Sequence, residues 1–221
     1  MHSYVFQNNR VKIVGTILDK PEYLETINGQ DYYRTFVNCP NKHIHTNIIP
    51  VVAKQEEFDA YSDYIFSGSY VELYGRLNVK GTTRIAQNGL TAYDHSQYVR
   101  FEHLESIPAN VRFSNNVIIK GELFKKRETY MPKARKSSAH ALIKVQNGIC
   151  SPILDVYTPA SREDLLEKMR VINVGDTLAV RGGLVQTNAD YINLKVSAFD
   201  IFTGRNIDNN PAYQDIDFFR F

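Results

Sequence analysis

Short stretches in which every second residue is apolar recur along the chain. Val11, Ile13, Gly15 and Ile17 alternate with Lys12, Val14 and Thr16, and Val71, Leu73, Gly75 and Leu77 alternate with Glu72, Tyr74 and Arg76. Leu178, Val180, Gly182 and Leu184 repeat the pattern. A period of two places one face of each stretch on a core and the other in solvent, which predicts half-buried strands. The glycines inside these strands predict bulges or sharp bends. Further strands are expected at Tyr32–Cys39, Thr46–Ala53, Tyr98–Ile107, His140–Gln146, Ile153–Tyr157 and Tyr191–Phe202. A helical period replaces the alternation in Glu56–Phe66, through Phe58, Tyr61 and Ile65, and in Ser161–Met169, through Leu165, Leu166 and Met169. Tyr61 and Tyr64 are expected to pack the first of these helices onto the strands.

The series occurs twice. Asn9–Ile17 resembles Asn116–Leu123, and Gly68–Leu77 resembles Gly175–Leu184, at an offset of about 107 residues, and internal repetition at a fixed offset marks duplicated units. Each copy runs three strands, a helix and two strands, the order of the five-stranded OB barrel. The expected fold is therefore all-β with short helices: two tandem five-stranded OB-fold barrels, over residues 1–110 and 111–204, with a tail over 205–221. Roughly 100 residues per barrel is enough for such a core.

Composition narrows the function. The chain has 221 residues, 26 Lys and Arg against 24 Asp and Glu, and a formal net charge of +2, so any site for a polyanion must come from local clustering. Two cysteines, Cys39 and Cys150, are too few for a disulfide framework. The first residues lack the apolar run of a signal peptide, and no stretch is long enough to span a membrane, so a cytoplasmic location is expected. Phosphate-loop, zinc-protease and nucleophile-elbow motifs are missing, which favours a binding module over an enzyme, without a cofactor. His43 and His45 have no nearby Cys or acidic partner to complete a metal site, so none is expected.

The first copy resembles the bacterial single-stranded-DNA-binding protein family. Asn9-x-Val11-x-Ile13-x-Gly15-x-Ile17 followed by Pro21-Glu22 is similar to the family's opening strand, and Ile49-Pro50-Val51-Val52 stands in the place of its third. Tyr64-Ile65-x-x-Gly68-Ser69-x-Val71-x-Leu73-x-Gly75-x-Leu77 is similar to its helix end and fourth strand. The primosomal replication protein is a sister group with the same barrel. The resemblance implies non-sequence-specific binding of single-stranded DNA in replication or recombination; because aromatic stacking accepts any base, RNA stays open as a further ligand. It also implies four barrels per assembly, which a homodimer of this chain would supply. Family members stack bases on tryptophan; this chain has none, so its 14 Tyr and 12 Phe take that part. An OB module acting mainly through protein contacts, as an adaptor of a primosome or recombination complex, is the alternative.

Binding of this kind needs cations along phosphates and flat side chains under bases. The repeat turns Ala141, Ile143 and Val145 inward and Lys144 outward; carried to the first copy it turns Thr35, Val37 and Cys39 inward and leaves Tyr32, Arg34 and Phe36 outside. The opposite register, which puts Phe36 in the core, stays open. Tyr74 and Arg76 are expected outward on the first copy's fourth strand, and Arg181 belongs to the same strand of the second copy. His43 and His45 lie in the 2–3 loop, and Lys80 and Arg84 in the long 4–5 loop. The second copy's 1–2 loop gathers Lys125, Lys126, Arg127, Tyr130, Lys133, Arg135 and Lys136 against a single Glu128, whereas the first copy's loop, Asp19–Asp31, is acidic. The tail carries Asp215, Asp217, Phe218, Phe219 and Phe221. Its likeness to the family's acidic, Phe-ended tip implies docking of replication or recombination proteins; folding back onto a barrel is the other reading.

Overall fold

The computed structural model describes residues 8–40, 46–85, 91–132, 135–145, 151–186 and 194–203, with side chains placed for all but 82–85 and 91–95 of these. These residues form two compact units. One is built on residues 13–115 and takes in 185, 186 and 194; the other is built on 116–184 and takes in 8–12 and 195–203.

The first unit holds β1 (Asn9–Ile17, which starts in the other unit), β2 (Glu22–Ile27), β3 (Gln30–Asn38), β4 (Ile48–Lys54), α1 (Gln55–Asp59), β5 (Tyr70–Ile85) and β6 (Thr91–Ser106). The order around the barrel is β1–β5–β6–β4–β3, and β3 returns to β1 with Thr16 opposite Asn38. β4 and β6 run parallel, with Val51 opposite Val99, while β3–β4 and β5–β6 are antiparallel. This is the OB closure, with β2 added as an outer edge on β3. Ile13, Val37, Ile49, Leu73, Leu77 and Phe101 fill the interior. Cys39 is buried too, and burial pushes its thiol up to about 12, so it stays protonated and inert.

The second unit repeats the plan with β7 (Ser114–Met131), β8 (Lys136–Lys144), β9 (Ile153–Thr158), α2 (Glu163–Val171), β10 (Thr177–Gln186) and β11 (Leu194–Thr203). Its order is β7–β10–β11–β9–β8 and back to β7, again with one parallel pair, Val156 opposite Val196. Ile119, Leu123, Ile143, Leu154, Leu165 and Val180 are its core. A bulge falls at the expected Gly75, and the expected glycines are points of close strand approach: a Cβ on Gly75 would lie 2.3 Å from the Arg100 carbonyl oxygen, and one on Gly182 would lie 2.3 Å from that of Ser197. Among the described residues no helix is long and apolar enough to cross a membrane.

Four local expectations are corrected. The helix expected over Glu56–Phe66 is only Gln55–Asp59, after which the chain turns, with Tyr61 N–H donating to Phe58 O at 3.0 Å and Ser62 N–H to Asp59 O at 3.2 Å. Ser and Asp at 62 and 63 favour such turns over a continued helix. Tyr61 does pack, with its ring 5.3 Å from that of Phe101 and its hydroxyl 2.8 Å from His103 Nδ1, but Tyr64 is 47% exposed. The acidic loop Asp19–Asp31 is a β2–β3 hairpin whose turn residues, Asn28 and Gly29, have φ of 52° and 74°. Asn-Gly accepts two successive positive φ values, which matches the twist of a two-residue hairpin. The basic loop of the second copy is likewise a ribbon: β7 runs on to Met131, opposite Lys136 of β8.

Candidate nucleic-acid interface

Alternation and closure together build one face on the first barrel. Thr35, Val37 and Cys39 are buried and Phe36 is half-buried on the other side of β3, so the repeat-derived register holds. Directly opposite partners share a face, so Arg34 of β3, Val52 of β4, Arg100 of β6 and Arg76 of β5 form one row across four strands. At about 4.8 Å between strands the row spans roughly 14 Å. Tyr32 and Phe36 flank it, on either side of Arg34 along β3.

The electrostatics of this row are uneven. Arg100 grips Glu57 with two nitrogens, at 2.8 and 2.7 Å, and Glu57 also accepts the Lys54 N–H at 2.7 Å at the start of α1. Burial alone would raise the Glu57 carboxyl, but these hydrogen bonds and the charges of Arg100 and Lys54 outweigh it and hold the group below the usual carboxylate range. Arg76 is paired with Glu102. Arg34 differs: its Nε is buried with no hydrogen-bond partner among the described residues, and its Cζ lies 4.8 Å from the Phe36 ring centre. Arg100 sits over Tyr32 in the same way, at 5.5 Å. A guanidinium laid on a ring gives a flat, charged surface suited to a base and its phosphate.

Tyr74 does not belong to this face as expected. It is buried beside His103, with ring centres 6.0 Å apart, and its hydroxyl donates to the Glu72 carboxylate. The β5 bulge between Tyr74 and Gly75 falls at this point. Lys80 is paired with Glu25 of β2 at 2.7 Å. The side chain of Arg84 and all of His43, His45, Lys133, Asp215, Asp217, Phe218, Phe219 and Phe221 lie outside the described residues.

The second barrel carries its cations elsewhere. Arg127 of β7, His140 of β8, Tyr157 of β9 and Ser197 of β11 form the row equivalent to Arg34 and its neighbours, with Lys125 opposite Leu142 beside it. His140 lies against Tyr157 with ring centres 5.2 Å apart, and Asp155 holds His140 at 3.4 Å and Lys195 at 3.3 Å. Lys144, Arg135 and Lys136 are exposed, Tyr130 is 61% exposed, and Arg181 is half-buried opposite Ile118. Lys126 has another duty: its Nζ donates to the carbonyls of Met169, Arg170 and Ile172 at 3.0, 2.7 and 2.6 Å, closing the C-terminal end of α2. Replacing Lys126 by Met is expected to destabilise the protein by about 2 kcal/mol, read as a lowered urea midpoint, because three carbonyls lose a charged donor. Arg100, His140, Tyr157 and Lys195 were missed in the sequence, although Arg100 between inward Val99 and Phe101 was readable from alternation.

No protein-family model matches the sequence, and no curated protein matches it. Solved structures do. The wild-type single-stranded DNA binding protein from Thermus aquaticus superposes with a TM-score of 0.67 at 18% identity, over 89% of this chain and 93% of that one. The two chains share a fold. A deletion mutant of that Thermus protein gives a TM-score of 0.66 at 20% identity, over 89% of this chain and 94% of its own. The N-terminal domain of PriB protein from Thermoanaerobacter tencongensis aligns with 46% of this chain at a TM-score of 0.35 and 17% identity, covering 99% of that domain. At such identities the likeness to the Thermus protein is one of architecture: two successive OB barrels in one chain.

Proposed function

We propose that this protein binds single-stranded DNA without sequence preference, along the outer strand faces of its two barrels. The observation that carries the reading is the buried Nε of Arg34 on an aromatic face, without an acceptor among the described residues, because a buried donor calls for an acceptor and a phosphate oxygen supplies one. The fold shared with the Thermus protein supports the same ligand class. In the first barrel Phe36 and Tyr32 take bases while Arg34 takes phosphate; in the second, the His140–Tyr157 pair takes bases while Lys125, Arg127 and Lys144 take phosphates. Duplex DNA keeps its base faces stacked internally and so uses only the cations. RNA presents the same bases and phosphates and binds by the same contacts. The role is protection or organisation of single strands during replication or recombination, with two copies supplying four barrels and the C-terminal tail docking other proteins.

Titration with oligo-dT of increasing length, against duplex of equal length, tests this. The expected result is tight, salt-sensitive binding to oligo-dT and weak binding to duplex; equal affinities, or none, overturn it. Replacing Lys125 and Arg127 by Ala is expected to flatten the salt slope by about 0.7 for each phosphate left without its cation. The Lys126→Met chain should keep the parent slope, since that ammonium already serves α2.

A further inference from the structure

Arg100 stands within the first barrel's arginine row, yet both ends of its guanidinium fork are engaged by the barrel itself. Nη2 donates to Glu57 Oε1 at 2.8 Å, and Nη1 lies 2.7 Å from Glu57 Oε2 and 3.3 Å from the carbonyl oxygens of Val52 and Phe101. The side chain is 18% exposed, with its Cζ 5.5 Å from the Tyr32 ring centre. Glu57 is tethered in turn, because the Lys54 N–H donates to its Oε2 at 2.7 Å. A cap on one N–H needs a single oxygen and no charge, so capping α1 does not account for the two-point grip on Arg100. The second barrel is built otherwise at these places. The first turn of α2 carries Asp164, which is turned to Arg162 at 2.9 and 2.7 Å, and Ser197 lies opposite Tyr157 where Arg100 lies opposite Val52.

We propose that Glu57 is a positioning residue that sets the first barrel's preference for unpaired bases, a role that rests on reading this face as a site for single strands. It holds the Arg100 guanidinium as a plane for a base and withholds that cation from phosphate. Bases stack on guanidinium planes as they do on aromatic rings, and the clamped Arg100 adds one such plane to the Tyr32 ring. A phosphate that takes Arg100 must displace a carboxylate from the same fork. The displaced carboxylate then stays close by, because the Lys54 N–H keeps it there. That unfavourable exchange falls on any ligand that offers phosphates without free base faces, duplex DNA above all. A single strand uses the plane without opening the pair, so the clamp acts by penalising the wrong ligand as much as by attracting the right one. Arg34 remains the donor to phosphate on this face.

Glu57→Gln in the full chain tests this, because its amide oxygen still accepts the Lys54 N–H while the charge and the second acceptor oxygen are gone. Anisotropy titrations with labelled oligo-dT and with duplex of equal length, at several salt concentrations, compare it with the parent chain. The salt slope is expected to steepen by about 0.7 on oligo-dT and about 0.9 on duplex, one phosphate in each case. The preference for oligo-dT over duplex should fall at least about fivefold, since duplex gains a phosphate contact while the single strand exchanges a base plane for its own. Adding Arg100→Met to Glu57→Gln should return both slopes to the parent values and leave oligo-dT bound at least about fivefold more weakly than by the parent. Unchanged slopes or an unchanged preference in Glu57→Gln, or slopes that stay steep in the double variant, overturn the proposal. Equal losses on both ligands in step with a lowered urea midpoint overturn it too, and leave Glu57 a part of the fold alone. A parent chain without preference for oligo-dT instead overturns the function proposed above; a parent that prefers oligo-dT, with variants that behave like it, removes only the role of Glu57.

Discussion

Phe36→Ala is expected to weaken oligo-dT binding by about 1–3 kcal/mol, roughly five- to 150-fold, while changing the urea midpoint little. The two observables separate because of where the ring sits. Thr35 and Val37 point into the barrel and are buried, so Phe36 lies outside it, half-buried against the Arg34 guanidinium at 4.8 Å. Were the ring in the core, its truncation would instead appear as a stability loss of about 3–5 kcal/mol. Arg34→Ala should lower affinity too and reduce the salt slope, because it removes both a phosphate donor and the cation that stiffens the ring. Fluorescence titration of both variants with oligo-dT at several salt concentrations, beside urea unfolding, reads each effect. A stability loss without an affinity loss would sink the placement of Phe36 in the interface.

Gly182→Val is expected to have the opposite signature, a stability loss of about 3 kcal/mol or more that collapses the second barrel. A Cβ at this position lies 2.3 Å from the Ser197 carbonyl oxygen and 2.9 Å from Val196 Cγ1. The first of these is backbone, which no rotamer change relieves, so β10 and β11 must separate where they close the barrel. Gly75 stands in the same relation to Arg100 of β6, with the same 2.3 Å approach, and the equivalent substitution there should act alike on the first barrel. Urea unfolding followed by circular dichroism measures both; a shift below about 1 kcal/mol would show that the strands can part without cost.

Much of the frame was legible in the chain because the side-chain alternation of a strand is a local property. Val11, Ile13 and Ile17, or Leu178, Val180 and Leu184, declare their inward face without reference to any other strand. The duplication was legible for the same reason, since each landmark is a short contiguous motif. Asn28-Gly29 is an equally local signal for a hairpin, masked by surrounding acidic residues that have the composition of a loop. The helix expected over Glu56–Phe66 is too long because a helical spacing of three apolar residues is also satisfied by one short turn of helix followed by turns.

The sequence by itself determined two duplicated all-β units and the inward set of strands such as β1 and β10, while the face of Phe36 stayed open, Tyr74 read as outward and β2 read as loop. The tertiary structure decided which charges are available. A cluster such as Lys125, Lys126 and Arg127 reads as one basic run, yet closure of the barrel brings α2 beside Lys126 and gives that ammonium three carbonyls, leaving Lys125 and Arg127 on the outer face. Likewise Arg34, Arg100 and Arg76 form a row only when β3, β4, β6 and β5 are laid side by side, and only then does Glu57 claim one, Glu102 another, and none of the described carboxylates the third. Ion pairing depends on neighbours far apart along the chain, and so it is written in the closure of the barrel rather than in the alternation of its strands.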